Sequence, residues 1–394
     1  MKKRPGKKKK VYVGMSGGVD SSVAAALLRG EGHEVVGVFI KITDFNEEWG
    51  IECTWREERR EAMRAAAHLD IPLLTIDLSK EYKDEVVDYM VGEYRAGRTP
   101  NPDVMCNQEI KFGAFFDWAM KRAGSADWRM ATGHYARSNN LDIECPSQNE
   151  SLGHSMSKFK LLRGKDPAKD QSYFLWILTQ AELEHCLFPI GKYKKEAVRK
   201  LARKFGLPNA EKKDSQGLCF IGQLSVKDFL KKFIPEKRGQ VLNEKGGIIG
   251  RHDGAVFCTI GERHGFTITK KTSGDKPYYV VAKDIKKNQL VVAHNLDGNL
   301  DIECPSQNES LGHSMSKWAT LTNINWISGA SPDSGKTYQA QVRYHGELYE
   351  CRVDGDKVEF LKPPPALALG QSCVIYDKQK MLGGGVIGVY TIIT

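Results

Sequence analysis

Val11-Tyr12-Val13-Gly14-Met15-Ser16-Gly17-Gly18-Val19-Asp20-Ser21-Ser22, running on into Val23-Ala24-Ala25-Ala26-Leu27-Leu28, decides the fold. A short strand-forming run stops at small residues, and a helix-forming apolar stretch follows at once. Glycines at that junction let the backbone turn and approach an oxyanion. Ser16, Ser21 and Ser22 supply hydroxyl donors, and the helix start adds unpaired N–H groups and the positive end of its dipole. This is a phosphate cradle. It lacks the Lys-[Ser/Thr] ending of a Walker A loop and the G-x-G-x-x-G of a dinucleotide fold, so it is neither.

Outward from the cradle, strand-like and helical stretches alternate. Glu34 to Ile42 and Leu73 to Leu78 read as buried strands, as does Trp128 to Thr132. Between them Arg56 to Leu69, Lys80 to Tyr94 and Glu109 to Arg122 read as helices. The spacing predicts an α/β fold, a parallel sheet with helices on both faces and its ligand at the carboxyl ends of the strands. Tyr193 to Phe205 is an amphipathic helix ended by Gly206 and Pro208. Beyond residue 225 helical periodicity fades. From Trp318 onward the text is alternating and turn-rich, the pattern of a small antiparallel barrel. The expected division is a basic flexible tail 1–10, a catalytic domain 11–224, a central domain 225–298 and a C-terminal β-barrel 318–394.

The chain has 394 residues and a formal net charge of +9, long enough for two or three domains with cores of their own. Seven basic residues and no acid fall within positions 1–10, which reads as a solvated tail that still attracts polyanions. A second cationic island spans residues 192–213, with Lys192, Lys194, Lys195, Arg199, Lys200, Arg203, Lys204, Lys212 and Lys213 against Glu196 and Glu211. Such islands point to a phosphate-rich partner. No apolar run approaches the roughly 18 residues of a membrane helix, and no apolar signal segment follows the basic start, so no membrane association and a soluble, cytoplasmic protein are expected. Nine scattered cysteines without a Cys-x-x-Cys argue against a secreted disulfide framework or a zinc ribbon.

Residues 140–158 (NLDIECPSQNESLGHSMSK) recur letter for letter as 299–317, without matching flanks. That reads as an inserted segment and not as a solenoid repeat. Cys145, His154, Cys304 and His313 would make a four-ligand metal set on paper, but no metal site is expected.

Three further motifs carry chemistry. Thr99-Pro100-Asn101-Pro102-Asp103-Val104-Met105-Cys106-Asn107 sets an acid and a thiol three residues apart on a proline-bracketed loop. Lys212-Lys213-Asp214-Ser215-Gln216-Gly217-Leu218-Cys219-Phe220 places a second thiol beside lysines, which favour the nucleophilic thiolate. Taken singly, each thiol reads more simply as a buried structural cysteine. Ala131-Thr132-Gly133-His134-Tyr135 and Lys169-Asp170-Gln171-Ser172-Tyr173-Phe174-Leu175 complete the pattern.

The cradle resembles the PP-loop of ATP pyrophosphatases (adenine nucleotide alpha hydrolase-like), which adenylate an oxygen. With the other motifs the chain resembles the tRNA-specific 2-thiouridylase family from about Lys10 to Gly388, the two repeated segments apart. That resemblance implies ATP, with Mg2+, held by Gly14, Met15, Ser16, Gly17, Gly18, Val19, Asp20, Ser21 and Gly133, with Ile40 beside the adenine. It implies a persulfide on Cys219, a partner thiol at Cys106 that closes a Cys106–Cys219 disulfide, and Asp103 as acid or base. Asn101, Pro102 and Asp103 would meet the flipped wobble uridine (position 34). Lys169, Asp170, Gln171, Arg343 and Tyr344 would touch tRNA. The implied partners are tRNAs carrying such a uridine, those for Lys, Glu and Gln among them, and a persulfide donor such as a cysteine desulfurase or sulfur-relay protein. Two rival readings are a PP-loop ligase that adenylates a small molecule, with no need of Cys219, and an RNA-binding protein with a vestigial nucleotide fold.

Overall fold

The protein is described from a computed structural model covering residues 8–42, 55–124, 127–139, 159–213, 225–269, 276–295 and 316–391. Both repeated segments, except Ser316 and Lys317, lie outside the described residues, as does Cys219.

The first sheet contains β1 (Lys10–Gly14), β2 (Glu34–Lys41), β3 (Leu73–Asp77), β4 (Trp128–Ala131) and β7 (Cys186–Leu187) in the order β3-β2-β1-β4-β7. Every ladder is parallel. Such strands are covered on both faces and so need apolar side chains on both: Val11 and Val13 point into one core, Tyr12 into the other. The chain leaves β1 toward β2 and later returns on its other side as β4. That reversal opens a crevice beyond the carboxyl ends of β1 and β4, where the loop 14–22 lies. Lys10, counted with the basic tail in the sequence reading, instead opens β1 and pairs with Glu34 at 3.5 Å.

Two of the expected helices have a different winding. Lys80 to Tyr94 is α-helical at Ser79–Tyr82 and Asp88–Arg95, with a π-wound Lys83–Val87 between. Glu109 to Arg122 starts earlier, at Pro102–Met105, passes through a nine-residue π-helix Cys106–Ala114, and ends as α-helix Phe115–Ala123. Gly113 permits that winding: a Cβ there would stand 2.7 Å from the carbonyl oxygen of Gln108, five residues back.

Two more strands of the N-terminal region, β5 (Ala136–Ser138) and β6 (Leu161–Arg163), form a hairpin around the first repeated segment. The central region is a five-stranded sheet of β8 (Gly239–Leu242), β9 (Ile248–His252), β10 (Phe266–Ile268), β11 (Tyr279–Asp284) and β12 (Gln289–Ala293). Then come β13 (Trp318–Trp326), β14 (Tyr338–Gln341), β15 (Leu348–Asp354), β16 (Lys357–Phe360), β17 (Ser372–Asp377) and β18 (Lys380–Thr391). The additional β13–β18 pairing closes these six into a barrel. β18 pairs with β17 from Lys380 on but with β13 only from Gly383, which leaves one edge open at its start. Its first residues, Lys380 and Met381, pair with Leu162 and Leu161 of β6, so the N-terminal hairpin extends the barrel's sheet.

Candidate active site

Met15 N–H donates to the Val38 carbonyl at 2.8 Å, which carries strand pairing one residue past β1 into the loop. Gly17 then turns with φ +74°, and a Cβ on it would sit 2.2 Å from the carbonyl oxygen of Glu58 in the helix Trp55–His68. Gly18 caps the following helix, Val19–Gly30, without a side-chain bond, which leaves first-turn N–H groups for a ligand. Ser21 Oγ accepts from Ser16 N and donates to the Gly18 carbonyl, and Gly133 lies so close that a Cβ would be 2.8 Å from Ser21 N. Asp20 accepts from Lys195 Nζ and from the Tyr135 hydroxyl, each at 2.8 Å.

Beyond this loop is a cavity of about 300 Å3. Gly14, Met15, Ser16, Asp20 and Ser21 form its polar end; Val38, Phe39, Ile40, Ile42 and Trp55 form an apolar wall. Glu58, Cys106, Ile110, Lys111, Phe115, Thr132, Gly133, His134 and Gln171 complete the lining. The loop and Cys106, about ninety positions apart in sequence, therefore share one chamber. Gly17, Gly18 and Val19 shape the cradle without lining the cavity.

Asn101 caps the turn Pro102–Met105, its Oδ1 accepting from Val104 N at 3.3 Å, with proline pre-set at the first position. Burial pushes the Asp103 carboxyl up and the charge of Lys111 draws it back. The barrel grips this segment from behind: Gln371 Nε2 donates to the carbonyls of Thr99 (2.9 Å) and Pro100 (3.1 Å), and Thr99 N–H to that of Leu369 (2.7 Å). Tyr344 packs on Phe174 with ring centroids 4.3 Å apart. Its hydroxyl is pushed up to about 12 by burial and then by the charges of Asp170 and Asp103. Arg343 donates to the Ala366 carbonyl at 3.5 Å.

Asp170 and Gln171 serve the protein's own framework. The Asp170 carboxylate accepts from Arg163 Nε (2.9 Å), Gly164 N (2.8 Å) and Ser172 N (3.1 Å), while Gln171 Oε1 accepts from Tyr135 N (3.0 Å). Arg163 also stacks 4.6 Å over Tyr376, so Asp170 steadies the junction of hairpin and barrel. Asp170→Ala strands a guanidinium that is only 19% exposed, and two N–H donors; a loss of about 3 kcal/mol in urea-denaturation stability is expected.

The second cationic island is likewise partly spent inside the molecule. Lys195 holds Asp20, Lys212 Nζ donates to the Gly17 carbonyl at 3.3 Å, Arg199 donates to the Ala210 and Lys212 carbonyls, and Arg203 pairs with Glu211. Lys192, Lys194, Lys200, Lys204 and Lys213 are exposed. Lys212 thus braces the cradle, where the sequence reading gave it to an outside polyanion.

The site residues that sequence reasoning missed are Trp55, Glu58, Lys111 and His134. His134 was visible beside Gly133; it is buried, accepts or donates at Thr132 Oγ1 (2.8 Å), and burial and then Lys111 hold its ring well below the usual range, so it is neutral. Lys111 had no visible signal, because α-helical spacing turns it away from Cys106. Among the described residues no group of three or more His, Cys, Asp or Glu is placed to hold a metal ion, and no helix is long and apolar enough to cross a membrane. The four repeat residues weighed as metal ligands lie outside the described residues, as does Cys219, the partner expected for Cys106.

A parallel sheet whose first strand feeds a Gly/Ser cradle and an uncapped helix start, with a cavity beyond, defines a PP-loop nucleotide-binding domain. Residues 9–223 match the family described as tRNA methyl transferase HUP domain, 227–294 its PRC-barrel domain, and 316–387 the aminomethyltransferase beta-barrel domain. Curated relatives include the tRNA-specific 2-thiouridylases of Nitrosomonas eutropha (40% identical, 96% of this chain and 98% of that one) and Geobacillus kaustophilus (42%, 97% and 96%). That of Streptococcus thermophilus is 41% identical over 96% of this chain and 95% of its own. Among solved structures a 4-thiouridine synthetase–RNA complex with bound ATP aligns weakly, with a TM-score of 0.31 and 16% identity over 55% of this chain and 46% of that one. The chain belongs to the tRNA-specific 2-thiouridylase family.

Proposed function

We propose that this protein converts the wobble uridine of tRNA to 2-thiouridine. ATP supplies the activation: the uracil C2 oxygen attacks the α-phosphate, pyrophosphate departs, and a poor leaving group becomes AMP. The terminal sulfur of a persulfide on Cys219 then attacks C2, and AMP leaves with the C–O electron pair. The Cys106 thiolate attacks Cys219 Sγ, which closes a Cys106–Cys219 disulfide and leaves sulfur on the base. An external thiol reduces the disulfide before the next round, and a persulfide donor reloads Cys219.

The observation that carries this reading is that Ser16, Ser21 and Cys106 line one cavity. Activation and sulfur chemistry need a common chamber. Gly14 to Ser21 with Gly133 would seat the triphosphate, and Ile40 the adenine. Mg2+ would accompany the nucleotide. Asp103, made more basic by burial, suits proton transfer at the base. Cys219 follows Lys212 by seven residues, at most about 25 Å of extended chain, so its tether begins on the cradle itself. The methyl-transferase wording of the matched family descriptions finds less support here than sulfur transfer, since two thiols accompany an ATP-type loop.

The test is to incubate the protein with ATP, a persulfide donor and tRNA and to digest the RNA for mass spectrometry. 2-Thiouridine is expected from wild type and none from Cys219→Ser. Full ATP-dependent turnover by Cys219→Ser on a small molecule would replace this reading with the ligase; tRNA binding without AMP release would replace it with the vestigial fold.

A further inference from the structure

One face of the π-wound stretch supplies Cys106, Ile110 and Lys111 to the cavity. In an α-helix the residue five places after Cys106 would point about 140° away from it. With hydrogen bonds reaching to the fifth residue, that side chain comes round to within about 50°. The winding therefore puts Lys111 on the wall that Cys106 occupies. Such helices are rare and frequent at functional sites; here Gly113, whose Cβ would meet the Gln108 carbonyl, admits it. Among the described lining residues Lys111 carries the one full positive charge, in a cavity it shares with the acids Asp20 and Glu58 and with His134. Its field acts on Asp103 as well as on His134.

We propose that Lys111 is the positioning cation of the sulfur-transfer step, holding the Cys106 sulfur as thiolate. The inference rests on the reading of Cys106 as a working thiol. A cation beside a thiol favours its ionised, nucleophilic form, and a partly dry chamber strengthens the interaction. Lys111 keeps its proton throughout; the Cys106 proton goes to solvent before the S–S bond to Cys219 forms. Ile110 and Phe115 add apolar surface to the same cavity.

The experiment uses the full chain with Lys111→Met, Lys111→Arg and, as a surface-charge control, Lys121→Met. Methyl methanethiosulfonate, a reagent small enough for the cavity, is followed at Cys106 by peptide mass spectrometry near neutral pH, without ATP or tRNA. Labelling of Lys111→Met is expected to be about tenfold slower than wild type, with Lys111→Arg and Lys121→Met within about threefold. Single-turnover thiolation by Lys111→Met should fall about a hundredfold while the KM for ATP moves less than about threefold. Equal labelling of Lys111→Met and wild type overturns the proposal. So does an unreactive Cys106 in wild type, or Lys111→Arg as slow as Lys111→Met, which would mean packing and not charge. Because labelling needs neither substrate, a protein that labels as expected yet forms no 2-thiouridine defeats the functional reading and leaves the Lys111–Cys106 relation standing.

Discussion

Gly17→Ala is expected to yield a protein that no longer holds ATP and that unfolds at distinctly lower urea. The position carries two independent demands. Its φ of +74° disfavours any L side chain, at a cost of about 1 kcal/mol. The new Cβ would also stand 2.2 Å from the Glu58 carbonyl oxygen, backbone that cannot rotate out of the way. Relief requires the cradle or the helix Trp55–His68 to shift, and either shift takes Ser16 and Ser21 out of register with the cavity. A combined loss of about 3 kcal/mol or more follows. Gly32 separates the two demands, having φ +89° with nothing within 4 Å of a Cβ. Gly32→Ala should lose about 1 kcal/mol and bind ATP normally in calorimetry. Wild-type ATP affinity in Gly17→Ala would mean the nucleotide sits elsewhere.

Cys106→Ser is expected to separate the two halves of the reaction. The change is nearly isosteric and the residue is 5% exposed, so the cradle, which lies about ninety positions away in sequence, should stay intact. A serine hydroxyl cannot attack a disulfide sulfur to form an S–S bond. Thiolation over many turnovers should therefore fall by about a thousandfold or more, while the first-turnover burst of tRNA-dependent AMP and pyrophosphate, one equivalent per enzyme, forms within about threefold of the wild-type rate. Loss of both activities together would assign Cys106 to activation; retention of both would remove it from the chemistry.

The parallel sheet was legible because buried parallel strands must be apolar on both faces, and runs such as Val35 to Phe39 announce that directly. The cradle was legible for a related reason: glycines and hydroxyls between a strand and a helix have few other uses. Lys111 was not legible, since its orientation depends on π-winding that hinges on the close approach of Gly113 to Gln108, a fact of space and not of period. Asp170 and Gln171 illustrate the opposite limit. Their position in a motif marks them as important, yet sequence cannot tell a carboxylate turned outward to RNA from one closed on Arg163, Gly164 and Ser172. The union of β6 with β18 rests on two paired positions far apart in the chain, too short a ladder to leave a pattern.

That union sets a schedule for the growing chain. β6 is synthesised well before its partner, and Lys380 follows Leu162 by about two hundred residues, some 10 to 40 s of translation at ordinary rates. For that interval Leu161, which is fully buried in the finished protein, waits with one strand edge unpaired on an otherwise foldable N-terminal half. The nascent chain thus passes through a state in which its catalytic half is made and its last hydrogen-bonded neighbour is not, the stage at which a holding chaperone has most to do.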